Sequence, residues 1–165
     1  MAGHARLAAT SEFMKKILTA ILFALTFAVI PANAFTMDVQ GGVTNHVSEL
    51  SKFNMSFYGH WWFPIDKMTF VGVGGGYEEL DNVGYVPLSA SLWVRLPIGR
   101  QVLPVAIGDI GYMIGERHQM FWRAGGGLDI KNGDYSSILL MAGYQYLHHE
   151  DRGFVYLHAG ILVEI

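Results

Sequence analysis

The sequence predicts an all-β protein, an eight-stranded antiparallel up-and-down barrel whose strands cross a membrane. Two observations point there. Eight stretches alternate between a face of large apolar residues and a face of small or polar ones, a period of two that no helix shows. The eighth stretch alternates in the same way as far as the last residue, Ile165. In a soluble barrel the large apolar side chains would fill the interior, whereas in a membrane barrel they meet lipid and the polar residues turn inward.

Residues 1–13, MAGHARLAATSEF, read as a vector-derived leader or a misplaced start, because they delay the charged segment at Lys15 and Lys16. That segment is followed by the apolar run ILTAILFALTFAVI and by Pro31-Ala32-Asn33-Ala34, which makes residues 14–34 a secretory signal peptide cleaved after Ala34. The run is shorter than the roughly 20 residues a membrane-spanning helix needs. Residues 35–165 then form one domain, nearly all of it consumed by eight strands of about 10 residues each. That domain carries eight lysines and arginines against thirteen aspartates and glutamates, a net charge of −5, which argues against nucleic acid as a partner. The chain has no cysteine, so it offers no disulfide, thiol nucleophile or thiolate metal ligand.

The first strand, TMDVQGGVTN, sets Met37, Val39 and Val43 against Asp38, Gln40, Gly42 and Thr44. The second, FNMSFYGHWWF, turns Met55, Phe57, Trp61 and Phe63 outward, opposite Asn54, Ser56, Tyr58, His60 and Trp62. In the third, TFVGVGGGYEE, Val71, Val73 and Tyr77 oppose Gly72, Gly74, Gly76 and Glu78. The fourth, VPLSASLWVRL, keeps strict alternation over its whole length, with Ser89, Ser91, Trp93 and Arg95 inside. In the fifth, LPVAIGDIGYMI, Asp109 alone marks the inner face. The sixth, QMFWRAGGGLDIK, places Gln119, Arg123, Asp129 and Lys131 inside, and the Asn132-Gly133 that follows suits a hairpin turn. The seventh and eighth, SSILLMAGYQYLH and FVYLHAGILVEI, complete the set, the last with His158 and Glu164 inside.

An even number of strands with a periplasmic N-terminus puts the turns near Asp66, Gly99 and Gly133 in the periplasm. The loops near residues 47–52, 81–84, 115–118 and 148–153 then face outside and are short, which disfavours a large loop-borne receptor surface. Trp61 and Phe63 fall near one end of the strands and Tyr77, Trp122, Tyr144 and Tyr146 near the other, as two interfacial girdles require. Pro87 and Pro104 cannot donate ladder hydrogen bonds and are expected at bulges or frayed strand ends.

On these strands and on the alternating C-terminal stretch, the chain resembles the small eight-stranded outer-membrane proteins of Gram-negative bacteria, the OmpA-transmembrane, OmpX and opacity-type barrels. Ile165 stands where that group usually has an aromatic residue. The resemblance implies residence in the outer membrane among lipid and lipopolysaccharide, delivery by the barrel-insertion machinery, and a monomer. No cofactor or metal is implied. The implied role is structural or surface-interacting, non-catalytic, and not that of a general porin.

Candidate chemistry falls into three groups. Inward Asp38, Glu78, Asp109, Asp129 and Glu164, facing Arg95, Arg123 and Lys131, are expected to form a charge network inside the lumen, since buried charges are costly unless paired. His46, His118, His148 and His149 fall near the external rim beside Glu116, Glu150 and Asp151, where they could bind a divalent metal, respond to pH or simply be solvated. Finally, GYQYLHHE resembles the stretch carrying the catalytic histidine of lipid A deacylase barrels, with His148 in its place but Glu150 where the serine nucleophile would stand. A lipid A-modifying enzyme built on His148 therefore remains an alternative, as does a soluble carrier with an apolar ligand inside. The glycines of VGVGGGY lie within a strand with no helix after them, so they read as relief of crowding inside the barrel and not as a phosphate loop.

Overall fold

The computed structural model describes residues 35–48, 54–116 and 118–165. The expected leader and signal segments, most of the first loop and Arg117 lie outside the described residues. Eight strands close into one antiparallel barrel: β1 (Thr36–His46), β2 (Asn54–Pro64), β3 (Thr69–Leu80), β4 (Val83–Arg95), β5 (Val102–Ile114), β6 (Gln119–Lys131), β7 (Ser136–Leu147) and β8 (Arg152–Glu164). Each strand pairs with its neighbours in sequence, and β1 pairs with β8 from Thr36↔Glu164 to His46↔Phe154. No strand edge is left open, which is the condition for β-structure in hydrocarbon.

The register fixes the width of the barrel. Stepping across the ladders from Thr36 leads through Trp62, Gly72, Ser91, Asp109, Arg123, Gln145 and Phe154 and returns to β1 at His46, ten residues further along. With a rise of about 3.3 Å and a strand spacing of about 4.8 Å, that shear tilts the strands by roughly 40° and gives a backbone cylinder of about 8 Å radius. A lumen this narrow holds side chains and little else. At that tilt the 12-residue β3 rises roughly 30 Å, the thickness of a bilayer core.

The two faces separate as the alternation requires. Val39, Met55, Phe57, Trp61, Leu88, Leu157 and Ile161 are exposed outside, while Asp38, Ser56, Tyr58, His60, Glu78, Arg123 and His158 are buried inside. In β5, Leu103, Val105, Ile107 and Met113 point inward together with Asp109. Outside, Trp122 packs against Tyr144 and Tyr146 with ring centroids 5.6 and 5.9 Å apart, near the end opposite Trp61.

Two local features depart from the sequence reading. β4 begins three residues earlier than its alternation suggests, at Val83, because Asp81 and Asn82 both adopt positive φ (51° and 65°) and make a two-residue hairpin that pairs Leu80 with Val83. Pro87 marks neither a bulge nor a frayed end. The β3–β4 register is the same on both sides of it, at Gly75↔Leu88 and Glu78↔Tyr85, and only the intervening ladder positions open. The missing N–H thus costs local pairing without shifting the strand. Pro104 stays paired with Leu128 in the regular β5–β6 register.

Gly74 shows why the inner face of β3 is glycine-rich. A Cβ there would stand 2.3 Å from His60 Cδ2 and 2.8 Å from Ser89 Oγ, whereas a Cβ on outward Gly59 would meet nothing closer than the Asp38 carbonyl oxygen at 3.5 Å. Gly74→Val is expected to destabilise the barrel by about 1–3 kcal/mol through overpacking, and Gly59→Ala to leave it close to unchanged. Urea unfolding in detergent micelles, followed by far-ultraviolet circular dichroism, separates the two.

Candidate functional site

The most developed chemistry in the molecule is inside the barrel. Asp38 on β1 and His60 on β2 are direct cross-strand partners. Asp38 collects three donors: His60 Nδ1 (2.9 Å) and Gln40 Nε2 (3.0 Å) reach Oδ1, and Trp62 Nε1 (2.5 Å) reaches Oδ2. Asp109 on β5 and Arg123 on β6 are likewise cross-strand partners, with Arg123 Nε donating to Asp109 Oδ2 at 2.6 Å.

His60 joins these two halves across the lumen. Its Nε2 lies 3.3 Å from Arg123 Nη2 and 3.8 Å from Asp109 Oδ1. With Nδ1–H donated to Asp38, Nε2 is left to accept from the guanidinium, so the geometry fits a neutral imidazole. The Arg123 guanidinium also sits 3.9 Å from the centre of the Tyr58 ring and 5.1 Å from that of Tyr156, which adds cation–π attraction in a desolvated setting.

Two smaller polar groups adjoin this centre. Glu78 Oε2 accepts from Tyr58 (2.6 Å) and Gln145 (2.9 Å), which tie β3 to β2 and β7. Ser56 Oγ lies 2.7 Å from His158 Nε2 and 3.0 Å from Thr44 Oγ1. Gly42, between Ser56 and His158 in the ladders, leaves room for that contact, since a Cβ there would come within 2.6 Å of the His158 ring.

Apolar side chains close the polar layer off on both sides. Toward the end that carries the β1–β2, β3–β4, β5–β6 and β7–β8 loops, here the loop end, lie Leu80, Tyr85, Met113, Phe121, Leu147 and Phe154, all buried. Toward the other end, the turn end, lie Trp62, Phe70, Trp93, Ile107, Met141 and Leu162 with their neighbours. Beyond that second plug Arg95 pairs with Asp129 (2.8 Å) and Glu164 (3.0 Å), its guanidinium over Trp93 and Phe70.

The eight charges expected to form one lumen network therefore divide. Asp38, Asp109, Arg123 and Glu78 lie in the middle layer, while Arg95, Asp129 and Glu164 cap the turn end. Lys131 belongs to neither. It is exposed beside the β6–β7 turn, where the strand has already left the lumen, and it makes no ion pair among the described residues. His60, Tyr58, Trp62 and His158 are network members that alternation alone placed inside without naming their partners, and Gln145 joins them through Glu78. The missing signal is register: only once β1 and β2 are paired does His60 stand opposite Asp38.

The rim histidines spread along one side of the loop end. His46 Nδ1 lies 2.6 Å from Ser48 Oγ and its ring packs edge-on to Phe154, His118 stacks on Tyr112, and His148 and His149 are exposed in the β7–β8 loop. Among the described residues no three His, Asp or Glu side chains converge as metal ligands. Ser136 and Ser137 begin β7 at the turn end, a strand length away from His148. Outside, a depression of about 560 Å3 is floored by the paired Gly59 and Gly75 and walled by Met37, Val39, Trp61, Val73 and Leu88.

No family model and no curated protein sequence matches the chain. Solved structures do match its fold. Neisserial surface protein A superposes with a TM-score of 0.68 at 10% identity, covering 81% of this chain and 98% of that one. The N-terminal β-barrel domain of OprF from Pseudomonas aeruginosa gives 0.64 at 11% identity, covering 81% and 98%. The outer membrane enzyme PagL gives 0.53 at 15% identity, covering 79% and 99%. A de novo designed transmembrane β-barrel matches as well, at 0.60 and 13% identity, covering 81% and 96%. The fold is thus that of eight-stranded outer-membrane β-barrels.

Removing one member of a buried ion pair strands its partner. Arg123→Leu leaves Asp109 uncompensated and is expected to cost about 3–5 kcal/mol, while Arg123→Leu combined with Asp109→Leu recovers most of that loss. Urea titration of the refolded protein in micelles measures both.

Proposed function

We propose that this chain is an exported, monomeric β-barrel integral to a bacterial outer membrane, with a structural or surface-interaction role, neither a pore nor a catalyst. The observation that carries the reading is the lumen, where a charged layer lies between two clusters of buried apolar side chains, a packing that argues against a water path along the axis. The exposed outer face, lined by Val39, Phe57, Leu88, Leu157 and Ile161, suits acyl chains, including those of lipopolysaccharide. Insertion by the barrel-assembly machinery follows from the same reading.

A lipid A-modifying activity is the second reading, favoured by His148 in an exposed loop and by the Ser48–His46 contact at the same rim. Against it stand Glu150 in the nucleophile's place and the burial of the other serine–histidine contact, Ser56–His158, inside the lumen. The apolar-carrier reading requires space that Trp62, Trp93, Phe121 and Phe154 occupy.

Two measurements test the proposal. In planar bilayers the protein is expected to give no steady ionic conductance, and discrete open channels would overturn the sealed-lumen reading. In cells lacking the chain, expressing it, or expressing His148→Ala or Ser48→Ala, lipid A mass spectra are expected to be identical. Loss of an acyl chain that depends on His148 or Ser48 would establish the enzyme.

A further inference from the structure

The two ends of the barrel differ in a way the lumen does not explain. At the turn end, each of the three turns carries an exposed apolar residue beside an exposed cation. The β2–β3 turn has Ile65 and Met68 with Lys67, the β4–β5 turn has Ile98 with Arg100, and the β6–β7 turn has Tyr135, with Lys131 at the end of β6 leading into it. Ile98 and Tyr135 are 76% and 73% exposed and Ile65 61%, so most of each residue's surface is left uncovered by the barrel.

Among the described residues the loop end is mainly acidic and polar, and its exposed cation, Arg152, is paired with Asp81. Its described loop residues are mainly Asp81, Asn82, Glu116, His118, His148, His149, Glu150 and Asp151, with Val47 the exposed large apolar residue among them.

Most acids at the turn end are already engaged. Asp129 and Glu164 pair with Arg95. The Asp66 carboxylate accepts the backbone N–H groups of Met68 (2.7 Å) and Thr69 (2.8 Å), bonds that hold it below the usual carboxylate range and keep it charged but turned into its own turn. Asp134 alone among the described acids there makes no such contact, whereas Lys67, Arg100 and Lys131 form no ion pair among the described residues. Three unpaired cations, each flanked by an apolar side chain and set around the rim of an apolar belt, complement a layer of phosphates lying above acyl chains.

We propose that the turn end of the barrel selects anionic phospholipid headgroups, with Lys67, Arg100 and Lys131 on the phosphates and Ile65, Met68, Ile98 and Tyr135 seated at the acyl boundary. The proposal rests on the membrane-spanning reading and adds a lipid preference confined to one end.

The test uses the full refolded chain in phosphatidylcholine vesicles containing trace spin-labelled phosphatidylglycerol or spin-labelled phosphatidylcholine, with association read from the motionally restricted component. The barrel is expected to favour phosphatidylglycerol by roughly threefold or more. High salt should reduce that preference, and the K67Q/R100Q/K131Q variant should abolish it. Arg152→Gln, at the opposite end, should retain it. All these side chains are exposed, so the variants keep the strand signal in circular dichroism. Equal association of the two lipids, or a preference that survives the triple variant, overturns the proposal while leaving the barrel in the membrane. Absence of any restricted lipid overturns the membrane-spanning reading along with it.

Discussion

Everything else in this molecule depends on the closure of β1 against β8. In hydrocarbon an unpaired N–H or C=O costs several kcal/mol, so a strand can cross only if both of its edges are bonded. The β1–β8 ladder, eleven cross-strand pairs from Thr36↔Glu164 to His46↔Phe154, removes the last free edge. It does so with a stagger of ten residues, and that stagger sets the strand tilt and hence the bore. A cylinder of about 8 Å radius constrains what each inward position can hold, with glycine where a neighbour's ring crosses, as at Gly74 under His60 and Gly72 beside Trp62.

The narrow bore turns ordinary barrel logic inside out. Many large apolar side chains face outward, so between the two luminal apolar plugs cohesion falls to polar groups, which are costly to bury without partners. Asp38 is held by three donors and Asp109 by a guanidinium, and His60 connects both across the lumen. The apolar plugs exclude water from these contacts, which strengthens each hydrogen bond and raises the penalty for breaking one.

Much of this was legible in the chain. Period-two alternation sufficed for β2, β4 and β6, where Trp61, Leu92 and Trp122 alternate with His60, Trp93 and Arg123, and it separated lipid-facing from luminal residues. It was weakest in β5, because Val105 and Ile107 fill a plug and Leu103 is buried as well, so both faces are apolar. Positive φ at Asp81 and Asn82 moved the start of β4, and Pro87 proved to be a gap in an unshifted ladder, since alternation carries no information on whether a proline also shifts the register. The charged residues were identified as luminal, but not their division into a middle layer and an end cap, nor the departure of Lys131. Those follow from stagger, a property of eight ladders together that no single strand encodes.

The inside-out arrangement itself is open to one direct measurement, made convenient by the absence of cysteine from the chain. Single cysteines placed along β8 at Val155, Tyr156, Leu157, His158, Ala159 and Gly160, spin-labelled after refolding into bilayers, can be probed by oxygen, which partitions into lipid, and by a nickel chelate, which stays in water. A barrel with lipid outside and a sealed charged lumen gives a period of two: strong oxygen relaxation at Val155, Leu157 and Ala159, and weak relaxation by either reagent at the positions between. Strong nickel relaxation at Tyr156 and His158 would mean a water-filled lumen, and its appearance at Val155 and Leu157 would mean that the apolar face does not meet lipid at all.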